Sequence, residues 1–251
     1  MDRILYTAMS GAKQTMDRQA VVSNNLANVN TAGFRAELHA MRAVPVQGDG
    51  THATRTSVAA TTPGSDFAPG PMSATGRELD VAVQGRGMIA VQAPDGSEGY
   101  TRRGDLQVDG NGMLMLAGKP VIGEGGPIIV PLGAQLSMGS DGTISAIGVG
   151  ENPAALAEVG RIKLVDPADI TLQRGEDGLF RAPANAEGEV VPLAQDEDGR
   201  LVSGVLEGSN VSAVEAMVSM INVARAYEMQ MKVISTADEN AQRANNLLSM
   251  Q

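Results

Sequence analysis

Residues 23–34 read SNNLANVNTAGF. Four of the seven residues from Asn24 to Asn30 are asparagine, whose amide competes for nearby backbone groups and weakens a helix. Yet the stretch closes a run with helical spacing. Met1, Leu5, Ala8, Ala12, Thr15, Gln19, Val22, Leu26 and Val29 follow alternating steps of four and three, the pattern of a heptad seam. Most of its side chains are small, and Thr15 and Gln19 weaken its middle. The spacing predicts a helix over residues 1–33, about 45 Å long. Asn24, Asn25, Asn28 and Asn30 all fall off the seam. Their amides therefore face either water or neighbouring helices, where each offers two donors and an acceptor. Gly33 followed by Phe34 predicts a Schellman end, with Gly33 left-handed and Phe34 folded back toward Val29.

The far end of the chain has a second seam. Ala213, Met217, Met220, Ala224, Tyr227, Met231, Ile234, Asp238, Ala241, Asn245 and Leu248 again follow steps of four and three. It weakens at Asp238 and Asn245, and neither Gly nor Pro interrupts it. Ser212 and Glu215 have capping-box spacing, so the spacing predicts a helix from about residue 209 to the end of the chain. Its methionines suit imperfect, adaptable packing.

Between the helices the period changes. Residues 44–75 are rich in Thr, Ser, Ala, Gly and Pro and read as an extended or irregular connector. From 76 to 207 short apolar runs alternate with turn signals, among them LDVAVQG (79–85), YTRRGDLQVDGNGMLML (100–116) and GTISAI (142–147). Asp95-Gly96, Asp109-Gly110, Asn111-Gly112 and Asp141-Gly142 are turn dipeptides. Helical crossovers between the strands are missing, which argues against a parallel, doubly wound sheet. The expected fold is α+β: two long terminal helices (1–33 and 208–251) forming a coiled-coil-like layer, an extended or irregular connector (34–75), and a central antiparallel β-rich domain (76–207). Neither helix can bury its whole stripe on the β domain, so the helices must pair with each other or with other subunits.

Composition narrows the function. The net charge of −10 argues against nucleic acid, which needs clustered Lys and Arg, and against an anionic membrane surface. The absence of Cys excludes disulfides and thiolate chemistry. Apolar runs are too short for a membrane span, and the N-terminus does not read as a cleaved secretory signal; alone, that suggests a cytoplasmic protein.

The chemical motifs are weak. GRGMIA (85–90) matches a dinucleotide fingerprint, but that fingerprint needs a helix at its second Gly and the next residues read as strand and turn, so a β-hairpin connection is expected. His39 and His52 are the only histidines and read as solvated or packed rather than metal-bound. DEDG (196–199) lacks the spaced ligands of a calcium loop and reads as an acidic turn. The sequon NVS (210–212) is explained by helix capping. No carboxylate pair stands out, so no enzyme and no cofactor is proposed.

SNNLANVNTAGF closely resembles the N-terminal signature of the bacterial flagellar rod and hook proteins. EGSNVSAVEAMVSMINVARAYEMQMKVISTADENAQRANNLL (207–248) resembles their C-terminal signature, and LDVAVQGRGMIAVQAPDG with YTRRGDLQVDGNGML resembles their middle domain. Within the family, MDRILYTAMSGA and EMQMKVISTADENAQRANNLL look most like proximal rather than distal rod members. The resemblance implies a non-enzymatic axial subunit, exported by the flagellar type III apparatus without a cleaved signal. It implies assembly in the periplasm into the drive shaft between motor and hook, which displaces the cytoplasmic expectation. Implied partners are further copies of the chain and other rod proteins, proximal and distal, with basal-body ring and export-gate-adjacent components as further neighbours. The subunit interface would comprise Leu5, Ala8, Ala12, Val22, Asn24, Asn25, Leu26, Asn28, Val29, Asn30, Gly33 and Phe34, with Met217, Met220, Ile221, Ala224, Tyr227, Met231, Ile234 and Leu248. Two rivals stand beside this reading: a distal rod or hook-like paralogue, and a β-domain surface adhesin with coiled-coil stems.

Overall fold

The first helix, α1, spans Asp2–Ala27 and stops short of the expected residue 33. The fold comes from a computed structural model describing residues 2–45, 56–148, 156–167, 170–185 and 190–248. The asparagines end the helix. The Asn28 amide N–H lies 3.1 Å from the Asn24 carbonyl and 3.2 Å from that of Asn25, and Val29 donates to Leu26 at 3.3 Å. Such tightening is typical of a last turn. The Asn28 side chain also donates to the Asn24 carbonyl, at 2.9 Å.

Asn25 does something different. Its Nδ2 donates to the Glu37 carbonyl at 2.9 Å, and its Oδ1 accepts the Glu37 N–H at 2.8 Å. The amide thus mimics a neighbouring strand and fastens α1 to the chain that follows it. Asn25→Ala is expected to cost about 1–2 kcal/mol and to speed hydrogen exchange at the Glu37 amide. Unchanged exchange there would show that the clamp is dispensable.

The chain divides into two compact units. The helical unit comprises residues 1–29, 36–66 and 211–251. It holds α1, a β-ribbon and α2 (Ala213–Leu248). The ribbon pairs β1 (Glu37–Pro45) with β2 (Thr56–Ser65) in antiparallel register, Glu37 opposite Ser65 and Pro45 opposite Thr56. Part of the connector is thus an extended ladder, with a register shift between Leu38 and Ala40; Thr and Val suit extended backbone. At the start of α2 the Ser212 hydroxyl accepts the Glu215 N–H at 3.4 Å, the cap that the spacing predicted.

The two helices touch within this unit through small residues. Ala12, Thr15, Ala216 and Val223 are buried. The Thr15 hydroxyl lies 2.9 Å from the Gly11 carbonyl and 3.3 Å from Gln230 Oε1. A Cβ on Gly11 would come within 2.9 Å of Gln230 Nε2. No helix among the described residues is long and apolar enough to cross a membrane.

The β-rich unit comprises residues 30–35 and 67–210. All its strand pairs are antiparallel, as the turn chemistry predicted. A five-stranded sheet runs in the order Leu164–Val165, Met88–Gln92, Glu98–Thr101, Phe180–Arg181, Gln173–Arg174. Smaller sheets surround a core centred on Val81, Ile89, Leu106, Leu114, Ile144 and Ile162. Asp-Gly and Asn-Gly turns join neighbouring strands, with Gly96, Gly112 and Gly142 all at positive φ. Asp95, Asp109 and Asp141 each accept the N–H two residues on, which locks the turn. Their carboxyls are held below the usual range, chiefly by the Ser97 hydroxyl at Asp95, the Met113 N–H at Asp109 and the Thr143 hydroxyl at Asp141.

GRGMIA opens no helix: Met88–Gln92 is a strand. It is not a hairpin connection either, because Val81–Val83 pairs with Leu201–Ser203 while Met88–Gln92 belongs to the five-stranded sheet. The acidic stretch at 196–199 is a turn in which Asp196 accepts the Asp198 N–H at 3.0 Å. Both ring nitrogens of His39 are buried with no protein hydrogen-bond partner, and His52 lies outside the described residues.

Candidate assembly surface

On α1 the seam read from the sequence is the covered face. Leu5, Ala8, Val22 and Leu26 are half-buried and Ala12 is buried, all within the helical unit. The residues between them carry a second apolar stripe. Tyr6, Met9 and Met16 are exposed by 68%, 56% and 59%, at steps of three and seven along one side of the helix.

On α2 the face covered within the helical unit takes in alternate members of the seam. Ala213, Met220, Tyr227 and Ile234 are half-buried, as the seam required. Their covered companions are Ala216 and Val223, with Gln230 and Ala237 half-buried. Met217, Ala224 and Met231 are exposed instead. The step order is three then four, not four then three. Gln230 of this set lies against α1, where Gly11 and Thr15 leave room for its amide.

The residues turned outward form a strongly apolar surface. Val214, Met217, Val218 and Ile221 are exposed by 71%, 50%, 52% and 53%. Met229, Met231 and Val233 continue the exposed set along the helix. The Leu248 side chain lies outside the described residues. Monomeric proteins rarely leave large apolar patches in water; each helix here covers one apolar face within its own unit and leaves a second exposed. Among the described residues no group of three His, Asp or Glu side chains gathers as metal ligands.

The remaining sequence-derived residues split between the two units. Asn24 is exposed and Asn25, Asn28 and Val29 are half-buried in the helical unit. Asn30, Gly33 and Phe34 belong to the β-rich unit, where Asn30 is exposed. Gly33 has φ +64°, the left-handed conformation predicted for it. It does not cap α1, however. Its N–H donates to the Glu207 carbonyl at 2.7 Å. Phe34 is buried with the Arg174 guanidinium 4.3 Å above its ring, instead of folding back as a Schellman partner. Local spacing could not reveal this, because Glu207 and Arg174 lie far away in sequence.

These contacts belong to a junction where three stretches of the β-rich unit meet. Glu207 is wholly buried between two arginines, Arg35 at 2.7 Å and Arg102 at 2.7 Å. Its Oε1 also accepts the Gly70 N–H at 2.9 Å. Arg102 donates further to the carbonyls of Val83, Gly85 and Gly87; burial pulls its pKa down and Glu207 opposes that. Gly208 donates to Pro71 at 2.8 Å, and Asn210 to Phe34 at 3.3 Å and Ala68 at 3.0 Å. Residues 30–35, 67–71 and 207–210 are thereby fastened together. A Cβ on Gly33 would meet the Arg102 carbonyl carbon at 2.3 Å. Gly33→Ala is therefore expected to destabilise the β-rich unit by more than about 2 kcal/mol, left-handed strain plus a backbone clash. Urea unfolding measures it, and a loss below about 0.5 kcal/mol would count against this geometry.

Known proteins share this organisation. The family described as "Flagella basal body rod protein" matches residues 5–35, "Flagellar hook protein FlgE/F/G D1 domain" matches 82–146, and "Flagellar basal body rod FlgEFG protein C-terminal" matches 202–247. Over 251 residues, spanning 100% of both chains, the protein is 56% identical to flagellar basal-body rod protein FlgF of Salmonella typhimurium and equally to that of Escherichia coli. It is 33% identical over 269 residues to flagellar basal-body rod protein FlgG of Borreliella burgdorferi, covering 98% of this chain and 99% of the other.

Proposed function

This chain belongs to the flagellar basal-body rod protein family, and on that premise we propose that it builds the proximal rod through the outward faces of α1 and α2. It is a structural subunit of the basal-body rod. The likeness to the FlgF proteins of Salmonella typhimurium and Escherichia coli, 56%, exceeds the 33% likeness to FlgG of Borreliella burgdorferi, which favours the proximal over the distal position. Nothing found supports the adhesin rival.

The observation that carries the reading is the second apolar stripe on each helix, above all Val214, Met217, Val218 and Ile221. Helices from successive subunits form a coiled-coil-like layer lining the shaft, with the β-rich unit facing outward. A head-to-tail contact that does not close on itself generates a helical tube, and repeated helix contacts supply the stiffness that torque transmission needs. The partners are further copies and other axial proteins, reached in the periplasm after type III export. The chain has no enzymatic role.

A photo-crosslinking residue at Met217 tests this. In assembled basal bodies it should trap neighbouring axial proteins. In the dilute purified chain it should yield monomer alone. Monomer alone from both preparations would sink the reading.

A further inference from the structure

We infer that the exposed methionines of α1 and α2 are an oxidation-sensitive modification site that blocks incorporation of the free subunit. The inference rests on the reading of these helix faces as the assembly surface. Met9, Met16, Met217, Met229 and Met231 are exposed by 56%, 59%, 50%, 64% and 44%, and all lie on the two helices. The chain has no Cys, so thioethers are its only sulfur and no thiol intercepts an oxidant first. The β-rich unit supplies two internal controls: Met88 is wholly buried, and Met72 is 51% exposed but lies on a strand of that unit rather than on a helix.

The chemistry needs only a peroxide. Hydrogen peroxide transfers one oxygen to the thioether sulfur: an S–O bond forms, the O–O bond breaks, sulfur loses two electrons and water departs. The product is polar and chiral, and it disrupts Met-rich contacts. Buried between helices without a donor, its S–O dipole is costly. Reduction of the sulfoxide restores the apolar surface. A subunit in transit is thus vulnerable at the face it needs, while a subunit in the rod has that face covered.

The first measurement is peptide mass spectrometry of the purified full chain under hydrogen peroxide. The helix methionines and Met72 should oxidise about tenfold faster than Met88, or more, since susceptibility follows exposure. Equal rates would overturn the inference. The second uses cells carrying Met9→Gln, Met16→Gln, Met217→Gln, Met229→Gln and Met231→Gln together, glutamine standing for the polar sulfoxide. Completed basal bodies should fall about tenfold or more, while the corresponding Leu set and Met72→Gln stay near wild type. Should the Gln set build normally while Ile221→Asp does not, the inference falls and the assembly reading stands. Should both build normally, both fall. If the Leu set itself fails, the wild type decides: the five methionines should be protected about tenfold in isolated basal bodies relative to the free chain, and equal oxidation overturns the inference.

Discussion

Glu207→Ala is expected to lower the stability of the β-rich unit by about 3–5 kcal/mol, the cost of leaving a buried charge uncompensated. Glu207 has 0% side-chain exposure, and Arg35 and Arg102 have 2% each. Removing the carboxylate strands two guanidinium groups in a dry site. It also orphans the Gly70 N–H, which donates to the same oxygen. A loss of this size should lower the melting temperature by on the order of 10 °C. Glu207→Gln keeps an acceptor for Gly70 but removes the charge, so it should fall between Ala and wild type. Arg35→Met should cost less than Glu207→Ala, because Arg102 remains to neutralise the carboxylate. Arg102 is less replaceable, since it also satisfies the carbonyls of Val83, Gly85 and Gly87. Thermal and urea unfolding of the purified chain measure all of these. A loss under about 1 kcal/mol for Glu207→Ala would mean that solvent reaches the triad.

Ile221→Asp should abolish rod completion while leaving the free chain's melting transition unchanged. Ile221 is 53% exposed on the outward face of α2, so a carboxylate there stays hydrated in the free subunit. Covered by a neighbouring helix without a partner, it would cost several kcal/mol, and each kcal/mol is repeated at every subunit added. Completed basal bodies, counted by electron microscopy, should drop to about a tenth of wild type or fewer. Ile234 makes a poorer probe. It is half-buried in the helical unit, so Ile234→Asp disturbs the chain's own packing along with any contact between chains. Normal rods from Ile221→Asp, with normal expression, would show that the outward face of α2 is not the assembly surface.

Much was legible in the sequence because the relevant physics is local. Period alone separates the helical ends from the β-rich middle. The Ser212 cap needs only a hydroxyl three residues before Glu215, and the Asp-Gly turns need only a short carboxylate beside a residue free to adopt positive φ. Gly33 was readable as left-handed for the same reason. The family signatures lie on these same stretches, so recognition and periodicity drew on one set of residues.

The remainder depended on groups brought together from far apart. α2 is apolar on two sides, and steps of three then four fit its sequence as well as four then three. Only the packed pair of helices shows which set is covered: Ala216 and Val223 are buried, and Gln230 of the same set lies against Gly11 and Thr15 of α1. The asparagine stretch read as a polar helix face; the folded chain uses Asn25 as a strand mimic for Glu37 and stops α1 at Ala27. Nothing near Glu207 in the sequence marks it for burial, which becomes tolerable only where Arg35 and Arg102 converge on it. The sequence by itself determined which segments are helix, strand and turn, because those choices are made among neighbours within a few residues. The tertiary structure alone decided which apolar face each helix keeps for itself and which it leaves exposed, because burial is settled by the shape of the opposing surface.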